Sequence, residues 1–230
     1  MTIRIKGMPP ALLELFAGTQ SVSRVARRLG WSCVTLDIDP AHGPDLRMSV
    51  LDFDETAFPR DMFDFVWASP PCETYSSANN RFGLDREAAM AAMDQADELV
   101  RKMARILRHF NCAWCVENPL GSRLWRRPVA HELGGRAVKC SYCQYGFRYR
   151  KGTRLQASFP LQLATCPGAG KCAMMRGTSH LEWAQKGGGG AQSRNHKTEE
   201  LHRIPEPLVE EILRQWQNAR DSAESRDPAG

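Results

Sequence analysis

Short apolar runs alternate with amphipathic stretches through the first half of the chain. Ala11-Leu12-Leu13-Glu14-Leu15-Phe16 predicts a buried strand. It enters a turn at Ala17-Gly18-Thr19-Gln20, with Ser21 as the expected helix cap. Val22 to Leu29 predicts a helix stopped at Gly30. Ser32 to Leu36 predicts a second strand, ending in Asp37-Ile38-Asp39, and Ser49 to Asp52 a short third. Phe63 to Ala68 predicts a fourth, ending in Ser69-Pro70-Pro71-Cys72. From about Asp85 to Phe110, Met93, Ala96, Leu99, Val100, Met103, Ile106 and Leu107 recur at helical spacing. Cys112 to Val116 predicts a fifth strand, running into Glu117-Asn118-Pro119.

Strands separated by helices predict an α/β fold with a mostly parallel sheet covered on both faces. Ligands of such sheets sit beyond the carboxyl ends of the strands. Gly18, Asp37, Asp52, Cys72 and Glu117 all fall at such ends. Past residue 135 the periodicity degrades into cysteines, glycines and basic residues. Gly187 to Gly190 reads as a flexible loop. Pro205 to Gln217 predicts a closing helix with Leu208, Ile212, Leu213 and Trp216 on one face. The last ten residues read as a disordered tail.

Composition narrows the class. Hydrophobic residues make up 42% and charged residues 25%, as in a globular protein. No apolar run approaches the roughly 20 residues of a membrane span, and Met1 to Pro10 lacks a signal-peptide core. The expectation is a cytoplasmic, monomeric protein whose eight cysteines are thiols or metal ligands. Residues 136–220 hold 14 Lys or Arg against 6 acids, while residues 1–135 hold 16 against 17. That basic C-terminal portion suits a polyanion, or is a solvated face.

The chemistry concentrates at Cys72. Two prolines stiffen the backbone before it, which would hold a thiol at a cleft edge. A lone cysteine there reads as readily as core. Glu117, ending another buried strand, supplies a carboxyl group to match a thiolate nucleophile. The Gly18 turn can receive a carboxylate at a helix start, and Asp37 is placed to grip ribose hydroxyls. S-adenosylmethionine carries both groups.

These stretches resemble motifs of the cytosine-C5 DNA methyltransferases. Leu15-Phe16-Ala17-Gly18 resembles the family's first motif, and Leu36-Asp37-Ile38-Asp39-Pro40 its ribose-binding motif. Asp52 matches the acid that reads the adenine amino group. Ser69-Pro70-Pro71-Cys72 resembles the nucleophile motif, and Val116-Glu117-Asn118-Pro119 the Glu-Asn-Val motif. Tyr142-Cys143-Gln144-Tyr145-Gly146-Phe147, Lys151-Gly152-Thr153-Arg154 and His202-Arg203-Ile204-Pro205 are similar to a compact viral and phage branch.

The resemblance implies a Rossmann-like methyltransferase with a small irregular C-terminal recognition region. It implies double-stranded DNA as substrate and S-adenosylmethionine as cofactor. The cofactor would be held by Phe16, Ala17, Gly18, Thr19, Gln20, Ser21, Asp37, Ile38, Asp52, Phe53 and Pro70. Cys72 would attack C6 of a flipped cytosine, with Glu117 on its N3 and amino group. Residues 1–155 would be catalytic, 156–200 would recognise the target, 201–220 would return to the catalytic domain, and Glu73 to Arg86 would form a lid.

The family's Gln-x-Arg-x-Arg motif is not intact. A gapless match gives Tyr149, Lys151 and Thr153; a one-residue shift makes Arg154 the basic residue at the cytosine. Ile38 replaces the aromatic that often stacks on adenine. Cys143, Cys166, Cys172 and His180 form a loose zinc pattern, with Cys140 as an alternative and His196 or His202 as other fourth ligands. Cys112 and Cys115 read as core. Rival readings are an RNA substrate, a modified sulfonium donor, or a zinc-stabilised nucleic-acid-binding module with a decayed site.

Overall fold

The computed structural model describes residues 8–76, 86–183 and 198–224. Most of the expected lid, the four-glycine loop, His196 and the last six residues lie outside them. In chain order the strands are β1 (Ala11–Leu15), β2 (Ser32–Asp37), β3 (Leu46–Arg47), β4 (Phe65–Ala68), β5 (Ala113–Pro119), β6 (Arg136–Ser141), β7 (Gly152–Ala157), β8 (Met175–Arg176) and β9 (Ser179–His180). The α-helices are α1 (Ser21–Arg28), α2 (Arg86–Phe110), α3 (Pro128–His131), α4 (Thr198–His202) and α5 (Glu206–Glu224).

Seven strands form one sheet in the order β3-β2-β1-β4-β5-β7-β6. The first five are parallel, and β7 runs antiparallel between β5 and β6. The strand order reverses between β1 and β4, so the crevice at their carboxyl ends is the topological switch point. The central strands are buried on both faces, which explains their nearly unbroken apolar runs. Leu13, Leu15, Val66 and Val116 pack with Val100, Met103 and Ile106 of α2. On the other face Leu12, Phe65, Trp67 and Cys115 pack with Val22 and Val25 of α1 and Leu208, Ile212 and Leu213 of α5. Each fully buried Leu, Val or Ile adds about 1.5–3 kcal/mol of transfer free energy. Among the described residues no helix is long and apolar enough to cross a membrane.

Several expectations are corrected. The cap of α1 is Gln20, in the left-handed region at φ 53°, not Ser21. The Gln20 side chain does not cap a backbone N–H of the helix. Instead the buried Glu14 carboxylate accepts from the N–H groups of Val22 (3.3 Å) and Ser23 (2.8 Å). The third strand is Leu46–Arg47, not Ser49 to Asp52. Val50–Asp52 is a single 3-10 turn, because the Ser49 hydroxyl accepts from Leu51 N–H and starts a turn instead of a ladder. β6 and β7 arise where periodicity was lost, and β7 runs past residue 155 to Ala157. Helix α5 continues to Glu224, into the expected tail, with Arg220 over the ring of Trp216.

Candidate active site

A cavity of about 410 Å³ opens at the switch point, beyond the carboxyl ends of β1, β2, β4 and β5. Its wall includes Phe16, Ala17, Gly18 and Thr19 after β1, Asp37 and Ile38 at β2, and Ser69 to Glu73 after β4. Glu117, Asn118 and Pro119 contribute from β5, and Lys151, His202 and Ile204 close it from the C-terminal part.

The turn after β1 is shaped by its backbone. Phe16 sits at φ 56° and Gly18 at φ 44°. A non-glycine residue there stores strain of order 1–3 kcal/mol, a feature that concentrates at binding sites. Gly18 N–H donates to Asp37 Oδ2 at 2.7 Å, and Asp39 N–H to Asp37 Oδ1 at 2.8 Å. The Asp37 carboxylate is thereby aimed along the cavity edge. Beside it Ile38 is 69% exposed, a flat apolar surface with no core to fill. Ser21 Oγ accepts from Ile204 N–H at 3.3 Å and so joins this turn to the segment before α5. Gln20 points the other way, donating to the carbonyls of His42 and Gly43.

The loop carrying Cys72 is held from two sides. Asn118, buried at the end of β5, donates from Nδ2 to the Pro70 carbonyl at 2.8 Å. Beyond Cys72, buried Tyr75 donates to Asp97 Oδ1 at 2.9 Å, and Arg127 holds the other oxygen of that carboxylate. The loop carrying Cys72 is thus fixed to both β5 and α2. Burial pushes the Cys72 thiol up to about 11, Glu73 adds to the rise, and Lys151 opposes it. Cys72 Sγ, a Glu73 carboxylate oxygen and a His202 ring nitrogen all lie within 4.8 Å of one another. His202 Nε2 is 3.3 Å from Glu73 Oε1.

Glu117 is only 6% exposed, and its Oε1 accepts from the Tyr142 hydroxyl at 3.1 Å. The structure therefore brings Cys72, Glu117, Asp37 and the Gly18 turn to one cavity, from residues up to 99 positions apart in the chain.

Over 217 residues the chain is 32% identical to a probable DNA (cytosine-5)-methyltransferase of Frog virus 3, a match covering 88% of this chain and 98% of that one. The chain belongs to the DNA cytosine-C5 methyltransferase family. No family model matches it. Among solved structures it is similar to the Entamoeba histolytica methyltransferase EhMeth, with a TM-score of 0.53 at 14% identity. That superposition covers 69% of this methyltransferase and 57% of the solved chain, so it spans little more than half that length. The shared feature there is the fold.

The structure does not bring every predicted residue of the methyltransferase to the cavity. Arg154 lies on the opposite side of β7 from Glu117's partner Leu155. Its guanidinium stacks 4.4 Å over Trp125 and donates to Gln156 Oε1 at 2.8 Å. Strand alternation sets Arg154 on the face of its partner Asn118 and Leu155 on that of Glu117. The basic side chain in the cavity wall is Lys151, and buried Thr153 lies on Glu117's side of the strand. Asp52 is exposed and Phe53 buried against Phe58, both outside the cavity wall. Ser49 and Val50 are the wall residues of that segment.

Two residues carried no sequence signal. Glu14 read only as the polar position of a strand. Tyr142 appeared in a similar motif without a role; its hydroxyl reaches Glu117 only because β6 lies beside β7 and the following turn folds back.

A second cluster lies apart from the cavity. Cys143, Cys166, Cys172 and His180 present one ligand atom each, all within 4.8 Å of one another. Cys140 is elsewhere, buried in β6 against the α1 and α5 face.

Proposed function

We propose that the protein methylates C5 of cytosine in double-stranded DNA, acting as a monomer through a covalent adduct on Cys72. The observation that carries this reading is the sharing of one cavity by Cys72, Glu117 and Asp37. A cysteine and a carboxyl group at neighbouring strand ends serve one substrate ring, and the Asp37 end serves a nucleoside.

The cavity's chemistry fits S-adenosylmethionine. Asp37 would hold ribose hydroxyls, Ile38 would cover the adenine face, and Phe16 would present its ring toward a cationic sulfur. When bound, that molecule supplies an electrophilic methyl group. Ser49 and Val50, which line the cavity, would border the adenine.

The chain's own residues account for the rest. A cytosine must leave the stack before its C5 and C6 are reachable. Cys72 loses its proton to His202, which is oriented by Glu73, and the thiolate adds to C6. Glu117, carrying a proton, donates to N3 and accepts from the exocyclic amine, and that proton stabilises the negative charge developing in the ring. Tyr142 fixes the carboxyl rotamer through its bond to Oε1. Lys151 stabilises the thiolate. Carbon 5, made electron-rich by the addition, gains the methyl group. Loss of the C5 proton to solvent water then expels Cys72 as thiolate and restores the aromatic ring.

The test is trapping. Duplex DNA containing 5-fluorocytosine, incubated with the protein and S-adenosylmethionine, should give a denaturation-resistant adduct at Cys72, because fluorine blocks the final elimination. An adduct on RNA alone would reassign the substrate. A mass increment other than methyl would reassign the donor. DNA binding with no adduct on any nucleic acid would refute the catalytic reading.

A further inference from the structure

Four side chains that do not line the catalytic cavity converge without any catalytic reason to do so. Cys143 lies in the single turn after β6, Cys166 and Cys172 in the long segment after β7, and His180 in β9. Cys166 Sγ is 3.5 Å and Cys172 Sγ 3.9 Å from His180 Nε2. Tetrahedral zinc, with Zn–S of about 2.3 Å and Zn–N of about 2.0 Å, sets sulfur and nitrogen about 3.5 Å apart. Cys143 and Cys172 are buried, as closed structural sites require.

The surrounding chain needs such a clip. β8 and β9 are two residues each and, among the described residues, pair only with one another. A hairpin that short has no stability of its own. Trp183, just beyond it, is 54% exposed instead of anchoring a core. The backbone bonds that tie this segment down are local or single: Glu182 N–H donates to the Arg148 carbonyl, and Leu181 N–H to that of Met174.

We propose that Cys143, Cys166, Cys172 and His180 bind one structural zinc ion that fixes the 166–183 segment to the catalytic body. The ligand Cys143 directly follows Tyr142, whose hydroxyl bonds Glu117. One ion thus fixes both the short hairpin and the turn that positions the catalytic carboxyl. This second consequence rests on the catalytic reading of Glu117; the metal site itself does not.

The full chain, purified without chelators from zinc-supplemented medium, should carry about one zinc per chain by elemental analysis. X-ray absorption should show three sulfurs and one nitrogen around the metal. Cys166→Ser, at a half-exposed position, should lose zinc on dialysis against a competing chelator that wild type withstands. Cys112→Ser should keep it. Zinc removal should also increase proteolysis within 166–183 and reduce the yield of 5-fluorocytosine adduct.

Metal-free wild type from that medium, or a disulfide among the three cysteines by non-reducing mass analysis, would overturn the site. Full zinc retention by Cys166→Ser would overturn this ligand set. A stoichiometric zinc site with three sulfurs and one nitrogen, whose removal leaves adduct yield unchanged, would sustain the metal but overturn its link to Glu117. A zinc-loaded chain that forms no adduct at all would fail the catalytic reading alone.

Discussion

The Asn118 side chain donates to the carbonyl of Pro70 at 2.8 Å, tying the end of β5 to the loop that presents Cys72. A strand end bearing the carboxyl group and a loop bearing the thiol are thus one unit. Asn118→Ala leaves the Pro70 carbonyl without this donor and should cost about 1–3 kcal/mol of stability. It should also lower adduct formation more than it weakens DNA binding, because it loosens the thiol's position. Denaturant titration, single-turnover trapping and a binding isotherm on the same variant separate the three effects. An unchanged trapping rate in a destabilised protein would show that the bond serves stability only.

The reactivity of Cys72 should climb with pH. Burial, and then Glu73, hold its thiol near 11, and only the thiolate reacts. Alkylation of Cys72 by iodoacetamide in the free protein should therefore rise about tenfold per pH unit from 7 toward 10. Lys151→Met removes the opposing charge and should slow the reaction at every pH in that range. A plateau below pH 9, followed by peptide mass analysis, would contradict this.

His202 should act on the nucleophile rather than on the fold. His202→Ala should reduce adduct formation by about 10²–10⁴-fold near neutral pH, with much of the loss recovered as rising pH ionises the thiol directly. Thermal stability should change little, since the side chain is largely exposed. A loss that stays constant across pH would assign His202 to substrate binding.

Glu14 should make stability fall as pH rises. Its burial lifts the carboxyl from 4.5 to about 7, against the lowering effect of its hydrogen bonds from Ser23 and Val22. Between those two values the folded chain binds more protons than the unfolded chain. Stability is therefore greatest below the unfolded value and declines through the window, by up to about 3 kcal/mol. Glu14→Gln cannot ionise, so the difference between wild type and variant should follow that decline. Urea midpoints at pH 4.5, 6 and 7.5 test it; a difference independent of pH would refute it.

Lys102 of α2 and Glu55 form a buried ion pair at 2.5 Å. Lys102→Met strands the carboxylate and should cost about 3–5 kcal/mol, whereas Lys102→Met with Glu55→Leu should regain most of that loss. Equal destabilisation in the single and double variants, measured by denaturant unfolding, would show that the pair is not coupled.

The parallel half of this protein is legible along the chain. Strands β1 and β4 are buried along their whole length and β5 over its middle, so their apolar runs are nearly continuous. The polar residues that interrupt those runs mark the carboxyl ends where a ligand can sit. Gly18, Asp37, Cys72 and Glu117 were legible as a set for that reason. Local hydrogen bonding was less legible: Ser49 turned an expected strand into a 3-10 turn, and Glu14 took over the capping expected of Ser21.

Which side chains meet depends on how the strands pair in the folded chain. The pairing of β7 with β5 places Leu155 opposite Glu117, which sends Arg154 to the far face and leaves Lys151 at the cavity. A one-residue change of register exchanges the two faces of a strand, so no alignment of a broken motif could settle that choice. The same holds for the cysteines. Cys140 and Cys143 are three residues apart, yet Cys140 ends in the core and Cys143 beside Cys166, Cys172 and His180. Chain spacing permits either, and the turn after β6 selects one, because folding brings together partners that sequence separation does not encode.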